Sequence, residues 1–229
     1  MAKKVSRKQL LKKPDEFITL TGKTIQHIVT YQKQIFIAIG IVLAVAVIFS
    51  LMKFFANRAE NKAFTLLSQA NNQYQSLLEN MGPAMALREV EKNFDQVLNE
   101  YSTYQSAQIA RFYYANYCYK AGEYDKAVEL YTEAREYFKD DPIYLNLILS
   151  GLGHSYEAKK DRETSAEYFK MILSSDIPLL KDEALFNLGR SYDVLGREAE
   201  KNEVYKTLIS DYPDSIYTPL VKDQMAFSG

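Results

Sequence analysis

Two histidines, one cysteine and a few neighbouring carboxylates are the residues through which this chain could do chemistry, and their spacing argues against it. His27 and His154 lie on opposite sides of a long uncharged stretch, so no single metal can draw on both. Cys118 sits among tyrosines and alanines at helical spacing, the setting of a packed structural thiol rather than an activated thiolate. A lone cysteine also leaves no intrachain disulfide and no multi-cysteine zinc motif. The carboxylate pairs Asp140-Asp141, Asp182-Glu183 and Glu198 with Glu200 fall at helix ends or on exposed faces, where solvation is their ordinary role. The nine glycines are scattered at turns and helix contacts, so none forms a phosphate-cradling loop. The expectation is a binding protein, not an enzyme, with no catalytic, cofactor-binding or metal-binding residue.

What remains is a question of how the chain is laid out. Residues 1–33 hold eight of the 28 basic residues and two of the 29 acidic ones, so a basic arm precedes an acidic body despite a net charge of −1. Between them Ile35 to Met52 reads IFIAIGIVLAVAVIFSLM, eighteen residues without a formal charge. As a helix this run is about 27 Å long, close to the roughly 30 Å hydrocarbon core of a bilayer. A cleaved signal peptide has a shorter apolar core nearer the N-terminus, so an uncleaved signal anchor is expected. The basic arm should stay cytoplasmic and the body should lie across the membrane. Pro14, Asp15 and Glu16 suggest a helix start ahead of the span. A basic tail beside a span is a topology signal, and nucleic acid is not expected as a partner.

The body is repetitive. YYANYCYKAGEYDKAVELYTEA from Tyr113, GLGHSYEAKKDRETSAEYFKMI from Gly151 and NLGRSYDVLGREAEKNEVYKTL from Asn187 superimpose at spacings of 38 and 36 residues. Ala115 pairs with Gly153 and Gly189, Cys118 with Tyr156 and Tyr192, and Tyr131 with Phe169 and Tyr205. The pattern resembles the tetratricopeptide repeat, a helix-turn-helix of about 34 residues with small, Tyr, Ala, aromatic and Pro positions. Small residues let helix A approach its partner, Gly122 and Gly196 suit a turn that needs positive φ, and the aromatic fills space between hairpins. Lys201 departs from the pattern, replacing the small helix-B residue held by Ala127 and Ser165.

The expected fold is therefore all-α: one N-terminal transmembrane helix followed by a tetratricopeptide-like solenoid of helical hairpins. The layout is a basic cytoplasmic arm over 1–33, the transmembrane helix over 34–56 and the repeat domain over 57–229. Within that domain a degenerate unit covers 58–104, broken at Met81-Gly82-Pro83. Repeats follow at about 108–142, 146–178 and 182–213, with a capping helix near 215–225. Stacked repeats line a groove with their A helices. Counting from the aligned positions, the groove should carry Phe112, Asn116, Tyr119 and Lys120, then Ser150, His154 and Glu157, then Phe186, Arg190 and Asp193. Aromatics mixed with charges suit a protein or peptide ligand. Some such proteins clamp a peptide carboxylate with Lys and Asn; Asn116 matches, but Phe112 holds the lysine's place.

The order of parts and the stretch FDQVLNEYSTYQSAQIARFYYANYCYKAGEYDKAVELY from Phe94 resemble the bitopic inner-membrane tetratricopeptide proteins that accompany the bacterial Sec translocon, the YfgM type. That resemblance implies a single-pass protein of the bacterial inner membrane, N-terminus cytoplasmic and repeat domain periplasmic. The implied partners are translocon subunits, chaperones or emerging envelope proteins. A scaffold for envelope assembly or cell division is the alternative, and YPDSIY from Tyr212 is similar to repeat proteins of that kind.

Overall fold

The computed structural model describes residues 16–227, and the first fifteen residues of the basic arm, with the Pro14-Asp15 part of its helix start, lie outside them. Every regular element among the described residues is helical. The chain divides into two compact units, one ending at Asn57 and one beginning at Arg58.

Helix α1 covers Glu16–Glu100. In the first unit residues 24–57 of α1 are all exposed, including Phe36, Val42, Phe49 and Met52. An apolar face all round, with nothing buried and a mean hydropathy of 3.0, makes this helix long and apolar enough to cross a membrane.

In the second unit α1 is interrupted at Gly82, whose φ of 74° and ψ of 169° belong to no helix. Glycine reaches that conformation without a Cβ clash, and Pro83 then restarts the helix where a missing N–H costs nothing. Residues 83–100 fold back on 58–81: Asn93 Nδ2 donates to Gln73 Oε1 at 3.0 Å, and Gln105 N donates to Glu60 Oε2 at 3.0 Å. Both pairs are centred near Gly82, as an antiparallel hairpin requires. Ala63, Leu67, Ala70 and Tyr74 meet Leu87, Val90, Phe94 and Val97 in one buried cluster, each set at i, i+3/i+4 spacing.

Three further hairpins follow. They are α2 (Gln105–Ala121) with α3 (Tyr124–Tyr137), α4 (Pro142–Ala158) with α5 (Arg162–Leu173), and α6 (Lys181–Val194) with α7 (Glu198–Asp211); α8 (Thr218–Phe227) packs on α7. Asp141 caps α4 by accepting from Ile143 N and Tyr144 N at 3.0 and 3.1 Å, with Pro142 in the first turn. The Tyr104 cap of α2 makes no side-chain bond, and Glu60 supplies it instead, accepting from the backbone N–H groups of Gln105 and Ser106. A carboxylate there also complements the helix dipole. This ties the α1 hairpin to the first repeat.

Within the repeats, aromatic rings of B helices rest on glycines of A helices. A Cβ on Gly153 would come within 2.8 Å of the Phe169 ring, and Cβ atoms on Gly189 and Gly151 would overlap Tyr205 and Tyr131. Phe169 and Tyr205 thus lie against the A helix of their own repeat, while Tyr131 reaches Gly151 of the next one. Lys201, the large residue at a small position, is buried along its stem and turns its ammonium to Asp193 at 2.8 Å and Glu198 at 2.6 Å.

Polar contacts between A helices keep a constant register. Asn146 reaches Leu179 O, Ser150 reaches Glu183 and Glu157 reaches Arg190, each 33 residues on. A constant offset means α4 and α6 run parallel. Asp182 and Ser215 continue the same offset at 2.6 Å, so the segment leading into α8 stands where a fourth repeat would begin.

Two substitutions measure these devices in urea unfolding of the detergent-solubilised chain. Gly189→Ala should destabilise by about 1–3 kcal/mol, because Tyr205 must leave its place. Lys160 occupies the turn position of Gly122 and Gly196 yet has φ 66°, so Lys160→Gly should stabilise by about 0.5–1 kcal/mol. An unchanged unfolding midpoint in Gly189→Ala overturns the ring-on-glycine packing.

Candidate protein-binding groove

The A helices α2, α4 and α6 carry every residue expected on the groove, but their side chains play different parts. On α2, Phe112 is half-buried, its ring 5.8 Å from Tyr144 and 6.3 Å from Tyr131. Asn116 is engaged at both amide ends, donating to Phe112 O at 2.8 Å and accepting from the Tyr131 hydroxyl at 2.9 Å. Both behave as packing residues. Lys120 is exposed at the end of the helix. Tyr119, half-buried, places its ring 5.7 Å from Tyr124 and 6.4 Å from His154.

His154 is the centre of a charged cluster. Its Nε2 lies 3.0 Å from Glu183 Oε1 and its Nδ1 3.4 Å from Glu157 Oε2, so a carboxylate faces each ring nitrogen. Burial disfavours the charged ring, but these hydrogen bonds outweigh it and raise the His154 pKa to about 9. Both nitrogens then carry protons, leaving no lone pair for a metal or for general-base work. Glu157 is ringed by His154, Arg162 and Arg190, the last at 3.1 Å. Burial pushes its carboxyl up, yet the His154 and Arg162 hydrogen bonds and the Arg190 charge prevail and lower it to about 2. Glu183 is lowered chiefly by the His154 hydrogen bond, against burial, with the Ser150 hydroxyl donating at 2.9 Å. The cluster joins α4 to α6 with three cations against two carboxylates.

Phe186 stacks on Tyr217 with centroids 4.7 Å apart, and the Arg190 guanidinium lies over the Phe186 ring at 5.7 Å. Arg190 is the most open cation of the cluster, its side chain 45% exposed. Asp193 does not join it; it pairs with Lys201 of α7 at 2.8 Å. The structure thus brings Tyr119, His154, Glu157 and Arg190 together around one polar centre, with Phe186 beside Arg190.

Counting along the repeats missed Glu183 and Arg162. Glu183 lies three residues before Phe186 and seven before Arg190, so extending the helical period one turn toward the N-terminus finds it. Arg162 begins the B helix α5, and no periodicity within the A helices points to it. Cys118 is buried in the α2 core, where burial pushes its thiol up to about 12, the opposite of an activated nucleophile.

The cluster sets a pH dependence. A His154 pKa raised from 6.5 to about 9 contributes stability that is complete below 6.5 and vanishes as pH rises through about 9. Glu157, lowered from 4.5 to about 2, contributes above 4.5 and loses that contribution as pH falls through about 2. His154→Gln should therefore unfold earlier in urea than the parent between pH 4.5 and 6.5, and the gap should narrow as pH rises from 6.5 and close near 9. A gap independent of pH overturns the charged-imidazolium assignment.

Residues 183–215, from the first turn of α6 to just past α7, match the tetratricopeptide repeat family. No curated protein matches the chain. Among solved structures, one similar chain is a Podosopora anserina protein with nearly identical TPR-like repeats, described as a kinesin light chain. It is 14% identical, with a TM-score of 0.47, covering 68% of this chain and 90% of its own. Tetratricopeptide repeats are protein-interaction scaffolds, so the repeats imply a protein–protein interaction module.

Proposed function

We propose that the chain is a membrane-anchored interaction module that captures a segment of a partner protein on the face formed by α2, α4 and α6. In this reading residues 1–33 stay in the cytoplasm, residues 34–56 cross the bacterial inner membrane and residues 57–229 work in the periplasm. The partners are proteins at the membrane surface: translocon subunits, chaperones or emerging envelope proteins. The observation that carries the reading is the convergence of Tyr119, Phe186 and the half-exposed Arg190 beside a charged cluster that fixes α4 against α6. Aromatic rings and arginine are the side chains that bury most area and still hydrogen-bond at an interface. The wholly exposed apolar helix supports the anchor, and the basic arm before it supports the orientation.

Two experiments test the two halves of this reading. Protease added to spheroplasts should remove the repeat domain and spare the basic arm; protection of the repeats until detergent is added refutes the orientation. Crosslinking in native membranes should fall severalfold in a Tyr119→Ala, Arg190→Gln double variant that keeps its helicity by circular dichroism. Crosslinking at the parent's level refutes the groove.

A further inference from the structure

On the α2–α4–α6 face the carboxylates are already committed and several hydrogen-bond donors are not. Glu157 meets His154, Arg162 and Arg190, and Glu183 meets His154 and the Ser150 hydroxyl. Asp193, further along α6, turns to Lys201, which Glu198 shares. Each acidic group beside the cluster therefore has its cation within the chain.

The donors are in the opposite state. Arg190 Nη1 donates to Asn187 Oδ1 at 3.2 Å and Nη2 lies 3.1 Å from Glu157 Oε1. A guanidinium has five N–H groups, and Nε of Arg190 has no partner among the described residues, although nearly half of the side chain is open to solvent. The Tyr119 hydroxyl also makes no hydrogen bond among the described residues, and it is not one of the buried orphaned polar atoms, so solvent reaches it. Burial pushes this hydroxyl up, Glu157 and Tyr124 add to that, and the Arg190 charge opposes them. The Tyr119 proton therefore stays in place as a donor, within electrostatic reach of the guanidinium. Lys120, the next residue, is exposed and has no carboxylate partner among the described residues. Two accessible donors and a nearby cation with no acceptor left on the face call for an anionic acceptor from outside.

We propose that the partner segment held on this face presents an aspartate or glutamate side chain, whose carboxylate accepts from Arg190 and from the Tyr119 hydroxyl while Lys120 adds attraction at longer range. This rests on the α2–α4–α6 face being the binding face. A chain-terminal carboxylate is the poorer match. The amide of Asn116 that could help clamp one is engaged at both ends, and Phe112 stands where a clamping lysine would.

The test follows the ring signals of His154, beside both donors, by NMR in the full chain in lipid nanodiscs. The chain has two histidines, so His27→Gln assigns them. Acetyl-Leu-Glu-Leu-amide should move the His154 signals saturably. Acetyl-Leu-Gln-Leu-amide and acetyl-Leu-Gln-Leu with a free C-terminus should not. Tyr119→Phe keeps the ring and removes the donor, so it should weaken the glutamate response severalfold, as should Arg190→Gln. Arg190→Gln also breaks the Glu157 contact; if circular dichroism shows it unfolded, Tyr119→Phe decides. An equal response to the glutamine amide, a glutamate response unchanged in Tyr119→Phe, or no saturable response to the glutamate peptide overturns carboxylate recognition. An equal response to the free acid overturns the side-chain source. None of these outcomes touches the face itself, which stands or falls on the crosslinking of the Tyr119→Ala, Arg190→Gln variant.

Discussion

An aromatic ring packed against a glycine sets the distance between the helices of this solenoid. Tyr205 occupies the space a Cβ of Gly189 would need, Phe169 does the same at Gly153 and Tyr131 at Gly151. Contact at that range brings backbone and ring within van der Waals reach over a wide area, which neither a larger A-helix residue nor a smaller B-helix residue permits. All three rings are fully buried, so each fixes the crossing of two helices. The Tyr131 contact passes from one repeat to the next, and by it the stack becomes continuous.

Once the helices stand at that spacing, the polar register can form. The 33-residue offset from Asn146, Ser150 and Glu157 to Leu179, Glu183 and Arg190 is shorter than the 36 residues separating equivalent positions. Each A helix therefore meets its successor one turn earlier than its own equivalent position. This displacement is what puts Glu183, and not Phe186, against His154 and Ser150. The tyrosine excess has a separate cause. Tyr114 and Tyr131 are fully buried and Tyr117 nearly so, yet their hydroxyls end on Glu91, Asn116 and Asn71, so a large apolar ring is buried without stranding its polar end.

Much of the fold was legible because repetition multiplies weak signals. No one of Ala115, Gly153 and Gly189 identifies a close crossing, but their alignment with Tyr131, Phe169 and Tyr205 does. The apolar run from Ile35 to Met52 declares a span-length helix by composition alone. Lys160 escaped notice because the turn it shares with Gly122 and Gly196 needs a positive φ that lysine does not advertise. The candidate site was less legible for a related reason. Periodicity assigns a residue to a face but does not say whether its polar atoms are already taken, as those of Asn116 are by Phe112 and Tyr131. Nor does it find Arg162, which reaches the cluster from another helix, or tell that Asp193, which it places on the groove, is drawn away by a lysine at a position that usually holds a small residue.

The same distinction between placed and available groups governs what the groove can recognise. Glu157 and Glu183 face the groove but are committed to His154, Arg162, Arg190 and Ser150, so they serve the α4–α6 junction before any ligand. A ligand that replaced these bonds would have to match four contacts between charged groups already made within the protein. Tyr119 and Arg190 keep open surface: Arg190, though paired with Glu157, leaves nearly half its side chain in solvent, and Tyr119 is half-exposed, its ring tilted against those of Tyr124 and His154. Recognition that leaves the junction intact must therefore run through the open face of Arg190 and the rings beside it. The half-buried Glu157 holds Arg190 in place, so the face proposed as the groove presents that cation already positioned rather than assembled by a ligand.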